Sequence, residues 1–265
     1  MILDAILANT RREVTERKRL RSQAELEAAI ASMATPRAFA ATLRQPGVSI
    51  IAEIKRRSPS GGELRPGASA ADLARLYVRG GAAALSVLTD YRYFGGQGAD
   101  LAEARAASGL AVLRKDFIVE PYQVYESRAI GADAILLIVR ALEVPALHDL
   151  LELAAGLQLE ALVETHSATE VEIALRAGAH IVGVNNRDLD TLVTDVSMAP
   201  KLRTIIPPDR VVVAESGISQ PDQIAALARA GIDAVLIGEA LLRDIDPSAK
   251  LAALVAAGSP LRSSP

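Results

Sequence analysis

Residues 219–237 read Ser219-Gln220-Pro221-Asp222-Gln223-Ile224-Ala225-Ala226-Leu227-Ala228-Arg229-Ala230-Gly231-Ile232-Asp233-Ala234-Val235-Leu236-Ile237. Ser219 stands three residues before Asp222, the spacing at which a hydroxyl and a carboxylate cap the start of a helix. Behind them Ile224, Leu227 and Ala228 keep the i, i+3, i+4 interval of a helix with one buried face. Gly231 can take the left-handed conformation that ends a helix. Ala234–Ile237 follows at once, apolar on both faces as a strand in a helix-covered parallel sheet is.

The same unit recurs along the chain. Ser69 with Asp72 precedes Leu73, Leu76 and Tyr77, and Ser167 with Glu170 precedes Val171, Ala174 and Leu175. Helices stop at Gly80/Gly81, Gly131, Gly178 and Gly231, and residues 81, 131, 178 and 231 lie 50, 47 and 53 positions apart. That interval is two strand–helix units long. Apolar runs at 48–54, 82–88, 110–113, 134–139, 159–163, 181–184, 211–214 and 234–237 make eight expected strands. Eight strands in four such pairs predict an α/β fold, a closed (β/α)8 TIM barrel. A doubly wound dinucleotide-binding sheet would carry a Gly-x-Gly-x-x-Gly turn after its first strand, and that turn is missing.

The 265 residues suit one such barrel, and half of them are apolar, enough for a large core. The expected organisation is a single domain over 1–258, with a helical extension at 1–46, the barrel at 47–258 and a frayed tail at 259–265. In the extension, Leu3, Ile6, Leu7 and Val14 form one helical stripe, and Ser22 with Glu25 caps a second helix carrying Leu26, Ile30 and Met33. The basic run Arg11, Arg12, Arg17, Lys18, Arg19 and Arg21 is interleaved with glutamates and reads as a solvated helix face. A net charge of −3 gives no field to gather nucleic acid or a membrane surface. The absence of cysteine excludes disulfides and thiolate metal sites and suits a reducing compartment. Without a signal segment or a spanning stretch, the expectation is a cytoplasmic protein, and the chain is further expected to be a monomer.

In barrels of this kind chemistry lies at the C-terminal ends of the strands. The odd-numbered strands all finish in charge: Glu53 and Lys55, Arg114-Lys115-Asp116, Glu164, and Glu215. Alternation puts Ile51, Glu53 and Lys55 on one face, which is the lumen if both charges enter the site. Even strands end in Thr89-Asp90, Arg140 and Asn185-Asn186-Arg187, groups suited to substrate hydroxyls and carboxylates. Ser216-Gly217 and Gly238-Glu239 lie where many such barrels bind phosphate through backbone N–H groups. The loop from Arg57 to Gly62 is hydroxyl-rich and able to fold over an anion. The three histidines lack metal-ligand spacing. Residue types and spacing alone point to a metal-free barrel acting on a small phosphorylated substrate, with a lysine general acid and a Schiff-base lysine both open.

The motifs Ile51-Ala52-Glu53-Ile54-Lys55-Arg56-Arg57-Ser58-Pro59-Ser60, Leu113-Arg114-Lys115-Asp116-Phe117-Ile118, Leu162-Val163-Glu164, Gly183-Val184-Asn185-Asn186-Arg187-Asp188-Leu189 and Ala214-Glu215-Ser216-Gly217-Ile218 together resemble the indole-3-glycerol phosphate synthase family. The resemblance implies conversion of 1-(2-carboxyphenylamino)-1-deoxyribulose 5-phosphate to indole-3-glycerol phosphate in tryptophan biosynthesis, with loss of carbon dioxide and water and no cofactor. It implies Lys115 as the general acid of ring closure and Lys55, paired with Glu53, as the group assisting dehydration. Glu164 would be a base or an electrostatic stabiliser. Asn185 and Glu215 would contact the ribulose chain, with Arg187 orienting Asn185 or the substrate carboxylate. Ser58, Ser216, Gly217 and Gly238 would surround the phosphate, Leu236 and Glu239 would line the substrate site, and Phe94 and Phe117 would flank the anthranilate ring. The N-terminal helices would cover part of the mouth. Two positions depart from the family pattern: Gly61 where a basic residue is usual, and Gln97 where serine is usual.

A Schiff-base aldolase built on Lys115 is the nearest enzymatic rival, and it needs that lysine's pKa lowered. Phosphoribosylanthranilate isomerase, a related barrel, relies on a cysteine that this chain lacks. A non-catalytic phosphate-binding barrel would bind without turnover.

Overall fold

A computed structural model describes the chain except for residues 1, 59–61, 66, 189, 190, 192, 260–265 and the side chain of Ser58. Eight parallel strands close a barrel: β1 (Ser49–Ile54), β2 (Ala84–Leu88), β3 (Ala111–Lys115), β4 (Ala134–Ile138), β5 (Glu160–Thr165), β6 (Ile181–Asn185), β7 (Val211–Glu215) and β8 (Ala234–Ile237). Each pairs with its sequence neighbour, and β1 pairs with β8. Every expected strand is present, and β3, β5, β6 and β7 run one or two residues further than their apolar runs, so that Lys115, Glu164, Asn185 and Glu215 lie within strands.

Strand alternation divides the core in two. Ile50, Ala52 and Ile54 point outward and pack with Leu73, Ala74 and Tyr77 of the helix Ala70–Arg79. Ile51, Leu113, Leu136, Leu162, Val213 and Leu236 fill the lumen. The floor is sealed by α3 (Phe39–Leu43), whose Phe39 and Leu43 are fully buried against that inner set. Glu160 accepts a hydrogen bond from Ala40 N at 2.8 Å, satisfying a donor that the first turn of α3 leaves open.

The internal repeat has a hydrogen-bond counterpart. Asp133 N donates to Val112 O, and its carboxylate accepts from Val112 N at 2.9 Å. Asp233 holds Val212 in the same two ways, the side-chain bond being 2.8 Å. In both cases the aspartate follows a left-handed glycine, Gly131 (φ 91°) or Gly231 (φ 74°), where a side chain would be strained.

Ser69 and Ser167 cap their helices as expected. Ser219 does not: the helix Pro221–Arg229 starts one residue later, with Gln220 at its cap and Gln223 Oε1 accepting from Gln220 N at 2.9 Å. Pro221 supplies the reason, because its fixed φ suits the first helical position. Ala228, expected on the inner stripe, is exposed.

Helix α1 (Ile2–Leu20) and α2 (Gln23–Ile30), with its Ser22–Glu25 capping box, pack on the helix Pro121–Ala129 through Val14, Leu26 and Tyr122. The charged face of α1 is tied down in part: Arg17 pairs with Glu126 at 2.8 Å and Lys18 with Glu120 at 2.7 Å. No described helix is long and apolar enough to cross a membrane.

Candidate active site

A cavity opens at the C-terminal ends of the strands, beneath the start of α1, where Ile2, Leu3 and Ile6 form part of its wall. Its floor is ionic. Lys55 Nζ lies 2.7 Å from Glu53 Oε1. Lys115 Nζ is in contact with Glu215 Oε2 and lies 3.5 Å from Glu164 Oε2. Asn185 Nδ2 donates to Glu164 Oε1 at 3.1 Å, and the backbone N–H of Arg187 donates to Asn185 Oδ1 at 3.1 Å. Arg187 therefore orients Asn185 through its main chain, while its Nε reaches Thr194 Oγ1 at 3.3 Å.

Two glycines make room for the carboxylates. A Cβ at Gly183, beside Glu164 in the β5–β6 register, would overlap Glu215 Oε1. A Cβ at Gly238 would overlap Glu53 Oε1. A side chain at either position would have to displace the carboxylate it meets.

The three carboxylates are almost wholly buried, so desolvation favours their neutral forms. Around Glu53 that tendency is outweighed by Lys55 and Lys115, and its pKa is lowered. Glu164 is driven down further, to about 2, because Lys115, His166 and Asn185 all favour its charge over the cost of burial. At Glu215 burial wins over the attraction of Lys115, and the carboxyl is pushed up to about 7. Lys115 goes upward: burial opposes its charge, but Glu215, Glu164 and Glu53 together hold the proton on its amine. Glu215 Oε1 is buried with no hydrogen-bond partner among the described residues, an acceptor left open beside the ammonium.

Phe94 and Phe117 line the same cavity, their centroids 6.2 Å apart and tilted by 34°, so they form one continuous apolar wall. Gly96 sets Phe94 in place, since a Cβ there would collide with Leu88 O. Gln97 lies outside the cavity and starts the next helix, its N–H donating to Asp100 at 3.0 Å. Ser216 lines the cavity with a left-handed φ of 65°, strained for a residue with a Cβ.

Of the expected site residues, Glu53, Lys55, Lys115, Glu164, Asn185, Arg187, Glu215, Ser216, Leu236, Gly238 and both phenylalanines line this one cavity. Gly217 and Glu239 do not. Gly217 (φ 77°) is needed because Thr194 occupies the space of its missing side chain, and Glu239 turns away to pair with Arg243 at 2.8 Å. The side chain of Ser58, with Ser60 and Gly61, falls outside the described residues. Three other strand-end groups are structural. Asp90 caps the turn Tyr91–Phe94, Thr89 bonds Asp116 at 2.6 Å, and Arg140 binds Glu170 at 3.0 Å.

Sequence reading missed His166, which lies between Glu164 and Glu170, and the wall residues of α1. The α1 stripe was visible, but nothing local says which surface a stripe covers.

Two lysines, three glutamates and an asparagine converging at the C-terminal mouth of a closed barrel are the arrangement of an enzyme built on a (β/α)8 scaffold. The sequence profile of the indole-3-glycerol phosphate synthase family matches residues 3–254. The chain belongs to that family, the carboxy-lyases that act in tryptophan biosynthesis. It is 47% identical to the indole-3-glycerol phosphate synthase of Mycobacterium avium (strain 104) over 258 residues, 97% of this chain and 95% of that protein. It is 50% identical to the corresponding enzyme of Nocardioides sp. over 246 residues, 93% of this chain and 95% of that one. Among solved structures it is similar in fold to thiamine phosphate pyrophosphorylase from Pyrococcus furiosus, with a TM-score of 0.60 at 19% identity, covering 81% of this chain and 96% of that one.

Proposed function

We propose that this chain closes the indole ring of 1-(2-carboxyphenylamino)-1-deoxyribulose 5-phosphate, releasing carbon dioxide and water, with its two lysines working in sequence. The observation that carries this reading is the placement of Lys115 and Lys55 in one cavity, each with its own carboxylate partner. Lys115 hydrogen-bonds the substrate ketone and delivers its proton as the ring carbon attacks, and loss of the carboxylate then restores aromaticity. Lys55, held by Glu53, assists departure of the resulting hydroxyl as water.

Glu164, whose pKa is driven to about 2, is a weak base at neutral pH. Its environment favours the electrostatic role, stabilising positive charge that develops on the substrate nitrogen. Asn185, fixed by Glu164 and Arg187 N, and Glu215 face the ribulose chain. Phe94 and Phe117 offer one wall to the anthranilate ring and α1 covers the opening. The phosphate is assigned to the side of Ser216 and Gly238, together with Ser58. The upward shift at Lys115 runs against the Schiff-base alternative, whose nucleophile must be a neutral amine. The same reading takes residues 1–258 as one catalytic unit acting as a cytoplasmic monomer.

Incubation with the carboxyphenylamino-deoxyribulose phosphate, followed by indole fluorescence, tests the assignment against a low background, since the chain has no tryptophan. Turnover by the wild type and its loss in Lys115→Met are expected. Folded wild-type protein that yields no indole signal refutes the function. Borohydride trapping of substrate on Lys115 refutes the acid role.

A further inference from the structure

His166 is buried just beyond β5, its side chain only 2% exposed, yet it does not line the cavity. Its Nε2 lies 3.3 Å from Glu164 Oε1 and its Nδ1 3.2 Å from Glu170 Oε2. Its own backbone N–H donates to Glu170 Oε2 at 2.8 Å. Glu170 belongs to the helix Ala168–Arg176 and is clamped from the other side by Arg140, whose Nε and Nη2 reach Glu170 Oε1 at 3.1 and 3.0 Å. The charged groups bearing on the ring are thus Glu164 from β5 and Glu170 from the following helix. Arg140 stands behind Glu170, and Lys115 behind Glu164.

A neutral imidazole has one N–H and one lone pair, and a lone pair aimed at a carboxylate oxygen repels it. Nδ1 hydrogen-bonds Glu170 Oε2, whereas Nε2 makes no hydrogen bond among the described residues and meets Glu164 Oε1 as an ion-pair contact, so the two flanking carboxylates together favour the charged ring. We propose that His166 is a positioning residue that, as an imidazolium between Glu170 and Glu164, holds the Glu164 carboxylate aimed at Lys115 and the reacting nitrogen. Burial opposes the ring's charge, but the two carboxylates outweigh it and raise its pKa to about 9. The chain Arg140–Glu170–His166–Glu164 thereby alternates in sign from the outside of the barrel to the reacting centre.

The inference rests on the function proposed above, because it needs Glu164 to act in the reaction. Two measurements keep them separable. In a His148→Gln/His180→Gln protein, which alters only surface histidines, ¹⁵N-histidine NMR reads His166 alone. Both ring nitrogens protonated at pH 7.5, with loss of the proton only near pH 9, is the expected result. A neutral tautomer at pH 7.5 overturns the inference whether or not the protein turns over substrate.

The kinetic arm uses Glu170→Gln, which leaves the cavity wall intact. Removing that carboxylate lowers the affinity of His166 for its proton. The alkaline limb of kcat should therefore move down by about one pH unit, with kcat below the limb little changed. In His166→Gln that limb should vanish while kcat falls roughly tenfold and KM stays within about twofold. An alkaline limb that stays in place in a folded Glu170→Gln protein overturns the proposal. Absence of indole product from wild-type protein refutes the function instead, and the NMR result still decides the state of the ring.

Discussion

Arg114 and Lys115 are consecutive residues on β3, the first buried and the second partly buried, both among carboxylates, but they face opposite sides of the barrel wall. Arg114 points outward to the helix Pro121–Ala129. Its Nε donates to Thr89 at 3.0 Å, its Nη1 to Ser127 at 3.0 Å, and its Nη2 to Asp116 at 2.9 Å and Glu126 at 2.8 Å. Through Glu126 it is linked to Arg17 of α1. Lys115 points inward, where one oxygen of its partner Glu215 has no hydrogen bond among the described residues and the cavity opens above. A satisfied buried ion network fixes structure, whereas one with an open acceptor and room beside it is poised to receive a substrate.

The contrast is broken most severely by paired substitutions. Lys115→Met should lower kcat by roughly 10²–10⁴-fold, the usual worth of a positioned general acid, in protein that still folds. Arg114→Leu should do the reverse. It leaves Asp116 and Glu126 buried without their cation, at a cost of about 3–5 kcal/mol in unfolding free energy, with turnover per folded molecule little changed. Urea melts and active-site-normalised kinetics separate the two. If Arg114→Leu loses turnover without losing stability, the division between the faces is wrong.

A smaller effect is expected at Gly183→Ala. The new methyl pushes Glu215 from its place beside Lys115, and a displacement of that size at a reacting centre costs on the order of 10²-fold in rate. The readout is kcat with the thermal midpoint as control. Full activity would mean that the position of Glu215 is unimportant.

The smallest effect sharpens the comparison by sign. The Glu215 carboxyl is raised to about 7 in the fold from an ordinary 4.5, so the folded state holds its proton more tightly than the unfolded state. Folding stability tied to this group is present below about pH 4.5 and falls as pH rises through 7. Glu215→Gln never ionises and should gain roughly 1–3 kcal/mol over the wild type at pH 8, with no gain at pH 4.5. Calorimetry at the two pH values checks this.

Much of this architecture is written locally. The Ser–x–x–Asp and Ser–x–x–Glu caps at residues 69 and 167, the left-handed glycines 81, 131, 178 and 231, and the apolar runs each depend on residues within a few positions of one another. Where a local rule competed with another it misled, as at Ser219, where Pro221 set the helix start. The inward face of β1 followed from alternation because Ile51, Glu53 and Lys55 share one side. His166 escaped because its chemistry needs Glu170 across a turn, and an isolated histidine after a strand carries no spacing that says so. Glu239 looked like a substrate-binding residue by its position after β8, but its side chain pairs with Arg243.

What the sequence by itself determined is therefore the repeat, the closed barrel it implies, the charged ends of the odd strands and the family to which those motifs belong. These rest on short-range periodicity, capping and steric rules. Only the tertiary structure shows that Arg114 packs outside the barrel wall while Lys115 lines the cavity, that a Cβ at Gly183 or Gly238 would fall on a carboxylate, and that Ile2, Leu3 and Ile6 are the residues of α1 that line the site. The physical reason is that proton affinity depends on burial and on charges within a few ångströms. Barrel closure brings residues 53, 115, 164 and 215 within that range although the chain separates them by dozens of residues.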